Sequence, residues 1–473
     1  MASTTEAGTV AVVVLFGAAA GMLTAALAGI APALQAAQAG DGGFFTRSSA
    51  RSVSPRGAAL RRGLIAAEVA IVVVLLTSAL LLARSFAKLR VVDLGFETER
   101  VLTVETRWPT GRFLTPTRRP WFLVQQSVDG MVAAVRTVPG VEAVGLVTAL
   151  PLSGEAYAGT LWRADAPGAS GVKPPASARD QWKADLNTVT AGYFEAIGIP
   201  FLRGRNFSDA DRFSEEQLTN LETPRIGVAV VNRAFAARYF RDEEPLGKTL
   251  VLFDDQTFGF SRTIVGIVSD MRGRAVAEDG RPTIFLPHAQ HPDVFRPTLA
   301  VRSSLPLHAV AGAVRERLRQ FDPGLLVLRT TPMADVVAGA LSRPRFNLLL
   351  VASFASVALG LAAVGIYGVV ALLVTQRTRE IGVRIALGPR RADIIRVVLA
   401  DGMAPVLAGG VAGVAGSLAA TTAIRSMLFG VSPLDPVSFA VAPAILAAVA
   451  LLACYVPARR ALRVDPLVAL REE

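Results

Sequence analysis

Arg62-Gly63-Leu64-Ile65-Ala66-Ala67-Glu68-Val69-Ala70-Ile71-Val72-Val73-Val74-Leu75-Leu76-Thr77-Ser78-Ala79-Leu80-Leu81-Leu82-Ala83-Arg84 carries a single charge, Glu68, between its arginine ends. A helix needs about 20 mostly apolar residues to cross hydrocarbon roughly 30 Å thick, and residues 63–83 supply them. Four further stretches read the same way. They are an uncharged run between Glu6 and Asp41 centred on residues 10–30, then 346–375, 402–424 and 437–458, the last closed by Arg459 and Arg460. One such run could be the buried helix of a large soluble protein. Five together predict a membrane protein, an α-helical bundle of five spans.

Charge gives the orientation. Residues 1–90 hold 8 basic and 3 acidic side chains and residues 343–473 hold 13 and 7, while 91–342 holds 28 of each sign. The net charge of +11 therefore belongs to the hydrophobic ends of the chain. A nucleic-acid footprint would place a basic stripe on a soluble domain, so nucleic acid is not expected as a partner. Arginines 47, 51, 56, 61 and 62 lie between spans one and two, 377, 379, 384, 390, 391 and 396 between spans three and four, and 459, 460, 463 and 471 after span five. Alternating spans put all three clusters on one side, which the positive-inside rule makes cytoplasmic. The large segment from Arg84 to Arg345 and the short loop 429–436 then face outward. The amino-terminal residues lack the basic leader of a cleavable signal peptide, so the first run is expected to be retained.

The outward segment reads as α+β. Residues 101–106, 226–231 and 263–268 alternate like strands. Residues 121–138 have helical spacing and stop at Pro139-Gly140, and 307–321 stop at Asp322-Pro323-Gly324. Gly, Pro and Ala are dense over 153–178, which predicts a mobile loop or linker. The lone Cys454 excludes a disulfide framework.

Catalytic signatures are weak. Pro245-Leu246-Gly247-Lys248-Thr249 ends like a phosphate-binding loop, but the first glycine of that motif is replaced by Asp242, followed by Glu243 and Glu244. A turn entering a strand is the expectation. His288 and His291 are flanked by prolines, His308 is the only other histidine, and zinc generally takes three or four ligands, so a surface loop is expected. Neither cofactor nor metal is predicted. Glu68 differs, because an ionisable group inside a span is costly and by default functional. Its closeness to Arg62 favours a structural role, pairing with an arginine near the cytoplasmic interface. Gly17-x-x-x-Gly21 and Gly409-x-x-x-Gly413 permit close helix packing. Ala31-Pro32-Ala33-Leu34-Gln35-Ala36 after span one echoes Val456-Pro457-Ala458-Arg459-Arg460-Ala461 after span five.

Several motifs together resemble the MacB/FtsX-type permeases of ABC transporters. They are Pro139-Gly140-Val141, Ala149-Leu150-Pro151-Leu152, Gly192-Tyr193-Phe194-Glu195-Ala196-Ile197-Gly198-Ile199-Pro200, Val231-Asn232-Arg233-Ala234-Phe235-Ala236, Pro245-Leu246-Gly247-Lys248 and Ile264-Val265-Gly266-Ile267-Val268-Ser269-Asp270. Most specific is Thr378-Arg379-Glu380-Ile381-Gly382-Val383-Arg384-Ile385-Ala386-Leu387-Gly388. The resemblance implies domains at 1–59 (extra helix and cytoplasmic linker), 60–90 (first permease helix), 91–342 (periplasmic MacB-like core) and 343–473 (FtsX-like three-helix region), in the bacterial inner membrane. It implies a non-catalytic subunit whose partners are a separate ABC ATPase, a second permease copy and membrane lipids. Glu380, Gly382, Arg384 and Gly388 match the loop that docks on the ATPase in this family. The extra first helix is similar to the carboxy-terminal module of duplicated orphan permeases, so the chain is expected to be part of a longer or split protein. A membrane sensor or scaffold whose outer domain binds a ligand or cell-wall protein without transport is the alternative.

Overall fold

The computed structural model describes residues 55–109, 113, 121–155, 157–165, 181–219, 226–254, 257–292, 297–376 and 391–461. Contacts divide the chain into two units, Met1–Arg61 and Arg62–Glu473. Of the first, the described residues are the opening turns of helix α1. The run centred on residues 10–30, Gly17, Gly21 and the echo at Ala31 to Ala36 lie outside the described residues.

Among the described residues, four helices are long and apolar enough to cross a membrane. They lie within α1 (Pro55–Arg90), α8 (Ser342–Gln376), α9 (Arg391–Ile424) and α10 (Pro436–Ala461). Their shared core joins Val69, Val72, Val73 and Leu76 of α1 to Ala362, Ile366 and Val370 of α8, Val406 of α9, and Ala442, Leu446, Ala450 and Cys454 of α10. The α10 set recurs every fourth residue, a stripe of one helical face. Outward-turned Phe354, Val357, Leu361, Val364, Val411 and Leu452 are exposed, which suits hydrocarbon better than water.

Gly409 and Gly413 sit where α9 meets α1. A Cβ on Gly409 would lie 2.3 Å from the Ala66 carbonyl oxygen, and one on Gly413 would lie 2.6 Å from Val73 Cβ. Backbones approach this closely only where small residues remove the side chain from between them.

The segment between α1 and α8 is an α+β domain built on one eleven-stranded sheet. Strands β1 (Val101–Arg107), β2 (Val141–Val147), β10 (Thr298–Ser303) and β11 (Leu326–Pro332) run in the order β11-β1-β10-β2, every pair antiparallel. Alternation divides their side chains between two cores. Leu102, Val104, Val144, Leu146, Leu299 and Val301 pack under α2 (Trp121–Arg136) and α6 (Leu307–Phe321). Val101, Ala143, Val147 and Ala300 pack on the opposite side with Tyr193, Phe194 and Ile197 of α3 (Tyr193–Ile197). The motif Gly192 to Pro200 is thus an aromatic wedge on the sheet.

Beyond β2 the sheet continues through β4 (Trp182–Val189), β3 (Tyr157–Arg163), β7 (Thr249–Asp254), β8 (Thr257–Val268), β6 (Ile226–Asn232) and β9 (Thr283–Pro287), and β5 (Phe201–Gly204) pairs with β8. Because β9 also pairs in parallel with β4, Asp185 opposite Thr283, this half closes on itself. Closure removes its free edges.

Two expectations need correction. Residues 157–163, assigned to a mobile loop, form strand β3, with Leu161 and Trp162 fully buried. Ala158 and Gly159 obscure its alternation. His288 is buried at 1% exposure, not on a surface loop, and its amide donates to the Val189 carbonyl because it continues the β9 ladder. The Pro245–Thr249 reading holds. Lys248 N–H donates to Pro245 O around Gly247 at φ +80°, and β7 begins at Thr249.

Replacing Gly413 with valine should drive α9 off α1 and destabilise the chain by about 1–3 kcal/mol, the usual range for an overpacked site. Thermal unfolding of the full chain in detergent checks this. Gly410→Val is the comparison, since a Cβ there meets nothing within 4 Å.

Candidate coupling joint between the membrane helices and the outer domain

Two chain connections join the helices to the outer domain. The first runs from α1 through residues 91–100 into β1. The second runs from β11 into α7 (Met333–Ala340), which is capped by Pro332 and is followed, after Leu341, by α8. These connections enter on neighbouring strands, since β1 and β11 are paired, with Thr103 opposite Thr331.

An apolar pad fills the space between them. Leu89 of α1, Leu152 and Val276 are buried there, with Val92, Leu94, Phe96, Val337, Ala340, Leu341 and Phe429 packed against them. Leu152 belongs to the Ala149-Leu150-Pro151-Leu152 motif. It has φ 63°, the one non-glycine positive φ among the described residues, and its N–H donates to Gly273 O at 2.6 Å. Gly95 turns the chain from α1 toward β1 at φ +76°, where a Cβ would lie 2.0 Å from the Asp270 carbonyl oxygen. That position admits glycine alone.

Arg272 staples the pad. Its backbone N–H donates to Leu94 O, and its guanidinium donates to Asp93 O, Val276 O and Glu278 O. The same guanidinium lies 5.4 Å from the centre of the Phe429 ring, within cation–π range. One side chain therefore touches the exit of α1, its own loop, and the loop between α9 and α10.

That last loop is pinned to α1 by three polar contacts one helical turn or less apart. Phe429 N–H donates to Ser85 Oγ at 2.8 Å, Lys88 Nζ donates to Gly430 O, and Arg84 pairs with Asp435 at 2.5 Å. Asp435 also caps α10, accepting from Ser438 N–H at 2.8 Å and Ser438 Oγ at 2.7 Å, with Pro436 following. Aspartate at the cap and proline at the first helical position are the favoured pair. Burial raises the Asp435 carboxyl, but the two Ser438 hydrogen bonds and the Arg84 charge outweigh it and hold the group below its ordinary value.

Glu68 lies elsewhere, within the bundle. Its Oε2 is 3.1 Å from where a Cβ on Gly365 of α8 would be. Among the described residues it forms no ion pair, so the expected arginine partner does not appear there. Glu380, Gly382, Arg384 and Gly388 lie outside the described residues. Gln376 and Arg391, which flank them, are the ends of α8 and α9 remote from the outer domain.

Of the joint, the sequence singled out only the Leu152 motif. Asp435-Pro436-Val437-Ser438 was a legible cap signal. Arg84, Arg272 and Phe429 carried none, because each is ordinary alone and the fold brings them together from distant segments.

A family model described as MacB-like periplasmic core domain matches residues 69–336, and one described as FtsX-like permease C-terminal matches residues 352–466. The chain is 27% identical over 293 residues to the pyoverdine export ATP-binding/permease protein PvdT of Pseudomonas syringae pv. tomato, covering 59% of this chain and 42% of that protein. It is 25% identical over 300 residues to the macrolide export ATP-binding/permease protein MacB of Wolinella succinogenes, covering 61% and 43%. The chain spans about two-fifths of the length of the curated relatives it matches. The periplasmic region of MacB from Actinobacillus actinomycetemcomitans aligns over 52% of this chain and 95% of that one, at 14% identity and TM-score 0.31.

Asp435→Ala should cost about 1–2 kcal/mol, the range for losing a helix cap, and should free the 429–435 loop to proteases. Thermal unfolding and limited proteolysis of the full chain check this. The sign of the pH dependence follows from the lowered carboxyl. A depressed folded-state value stabilises above the unfolded value of about 3.9 and is lost as pH falls through the folded one. The contribution of this pin should stay flat from pH 5 to 8 and disappear only in stronger acid, as read from wild type against Asp435→Asn.

Proposed function

The chain belongs to the family of MacB-like periplasmic core domain proteins and carries an FtsX-like permease C-terminal region, and from that premise we propose that it is the permease part of an ABC-type exporter. On this reading ATP is hydrolysed by a separate subunit, and the chain converts that work into motion of its outer domain. The cargo class is a bulky amphiphile, peptide or lipoprotein, in line with the pyoverdine and macrolide exporters among its relatives. Residues 60–90 form the first permease helix, 91–342 the periplasmic core and 343–473 the FtsX-like region, with 1–59 holding an extra span and its linker. The inner membrane is the location.

The observation that carries the reading is the entry of both membrane connections on the paired strands β1 and β11. On this reading a displacement of α1 against α8 is passed to the outer domain through residues 91–100, held by the pad, and through α7. The mechanism has an input and an output. Glu380, Gly382, Arg384 and Gly388 form the input, with the Arg384 fork suited to a carboxylate of the ATPase and the glycines allowing a tight turn. The joint is the output. Work as a dimer, by two copies or two fused modules, follows because one bundle of this size encloses no pathway. Glu68 against Gly365 is a charge placed between the two helices that would move.

The test is reconstitution of the full chain with its ATPase. Arg384→Glu should abolish co-purification of the two and lower ATP-driven export at least tenfold, while thermal unfolding of the permease stays unchanged. Arg272→Ala should leave ATPase binding intact and still lower export. Export that persists in both variants would refute the relay. ATP hydrolysis that responds to an outer-domain ligand with nothing moved would establish the sensor alternative.

A further inference from the structure

The outward ends of the helices carry more positive charge than a translocated face normally bears. Arg84, Lys88 and Arg90 end α1, Arg343 and Arg345 begin α8, and Arg425 follows α9. The apolar pad gathers these ends, for it contains Leu89, Leu341 and Phe429. Arg84 is used by Asp435, and Lys88 by the Gly430 carbonyl. The other four are exposed. Among the described residues, no carboxylate lies within ion-pairing distance of Arg90, Arg343, Arg345 or Arg425. The nearby acids are otherwise placed. Asp93 accepts from Gly95 N–H, Asp335 lies in the first turn of α7, and Asp435 caps α10.

Hydrophobic surface begins immediately beneath these arginines. Phe346 and Leu349 follow Arg345 into α8, and Leu418 lies two turns before Arg425 on α9, at 52%, 57% and 48% exposure. Guanidinium groups just above a greasy surface occupy the level of lipid phosphates, and the planar fork matches a phosphate better than a point charge does. We propose that Arg90, Arg343, Arg345 and Arg425 form a binding belt for anionic phospholipid headgroups of the outer leaflet, seated around the coupling joint. The acyl chains lie along the Phe346–Leu349 face of α8. The occupant is a lipid and not an acidic protein, because the cations stand at the boundary of an apolar face that water would not cover. This rests on the helices crossing the bilayer and not on export, so failure of one leaves the other standing.

The experiment uses the full chain in phosphatidylcholine vesicles with trace spin-labelled phosphatidylglycerol or phosphatidylcholine, reading the ratio of their association with the protein. Wild type should prefer phosphatidylglycerol. Arg343→Gln, Arg345→Gln and Arg425→Gln combined should lower that preference by up to about fivefold per cation removed. The corresponding lysine exchanges should retain most of it, and Arg241→Gln with Arg315→Gln, on the outer domain, should change nothing. Should the triple variant fail to fold, each single exchange at its exposed position gives the same reading at smaller amplitude. Equal preference for both lipids in wild type, or an unchanged preference in the glutamine variants, overturns the proposal. So does loss of the preference in inorganic phosphate but not in chloride of equal ionic strength, which would identify a free anion as the ligand.

Discussion

The structure depends on one constraint, the pairing of β1 with β11. Strand β1 is reached from α1 through residues 91–100, β11 leads to α8 through α7, and the two strands are joined by a ladder running from Leu102 opposite Pro332 to Arg107 opposite Leu326. That ladder fixes the two points at which these connections enter the sheet side by side. In the proposed relay, movement within the bundle reaches the outer domain as rotation or shear of a sheet whose far half closes through β4 and β9. A closed half resists deformation better than an open one, because no edge is free to slip.

Magnitudes decide what holds the joint. An exposed ion pair contributes about 0–1 kcal/mol, and Arg84, with its side chain 40% exposed, is close to that case. Burying a leucine or valine contributes about 1.5–3 kcal/mol, and the pad buries Leu89, Leu152 and Val276. Apolar contact supplies most of the cohesion. The pins at Ser85, Lys88 and Asp435 supply direction, fixing where the 429–435 loop sits on α1. This division suits a joint, since hydrophobic contact tolerates sliding while hydrogen bonds select a register.

The parts of this architecture that sequence disclosed are those set by local pattern. Residues 63–83 state their membrane length in their own composition, and residues 101–106 and 307–321 state their period. Arginine clusters orient the bundle for the same reason, since each loop is read by itself. Strand β3 escaped because Gly159 must clear Leu186, where a Cβ would come within 2.3 Å, and that need interrupts the alternation. The β4–β9 closure and the joint escaped for a different reason. Asp185 meets Thr283, and Arg272 meets Phe429, across separations at which no periodicity survives. Glu68 was visible as a charge inside a span, but its neighbour Gly365 was not, because one glycine in a span rich in small residues announces nothing.

Leu152 shows how finely the joint is balanced. A non-glycine residue in the left-handed region costs on the order of 1–3 kcal/mol, and its side chain recovers a similar amount by burial in the pad. Its N–H bond to Gly273 O tilts the sum toward the observed conformation. The conformation of Leu152 therefore survives only while the pad is assembled, and the pad needs Leu152 to be filled. A displacement of α1 that opened the pad by even a fraction of an ångström would remove dispersion contacts steeply and leave the backbone strain uncompensated. The joint is thus cooperative in a small way. Its members hold together or release together, the property that the proposed relay needs if a modest shift of one helix is to reach the outer domain.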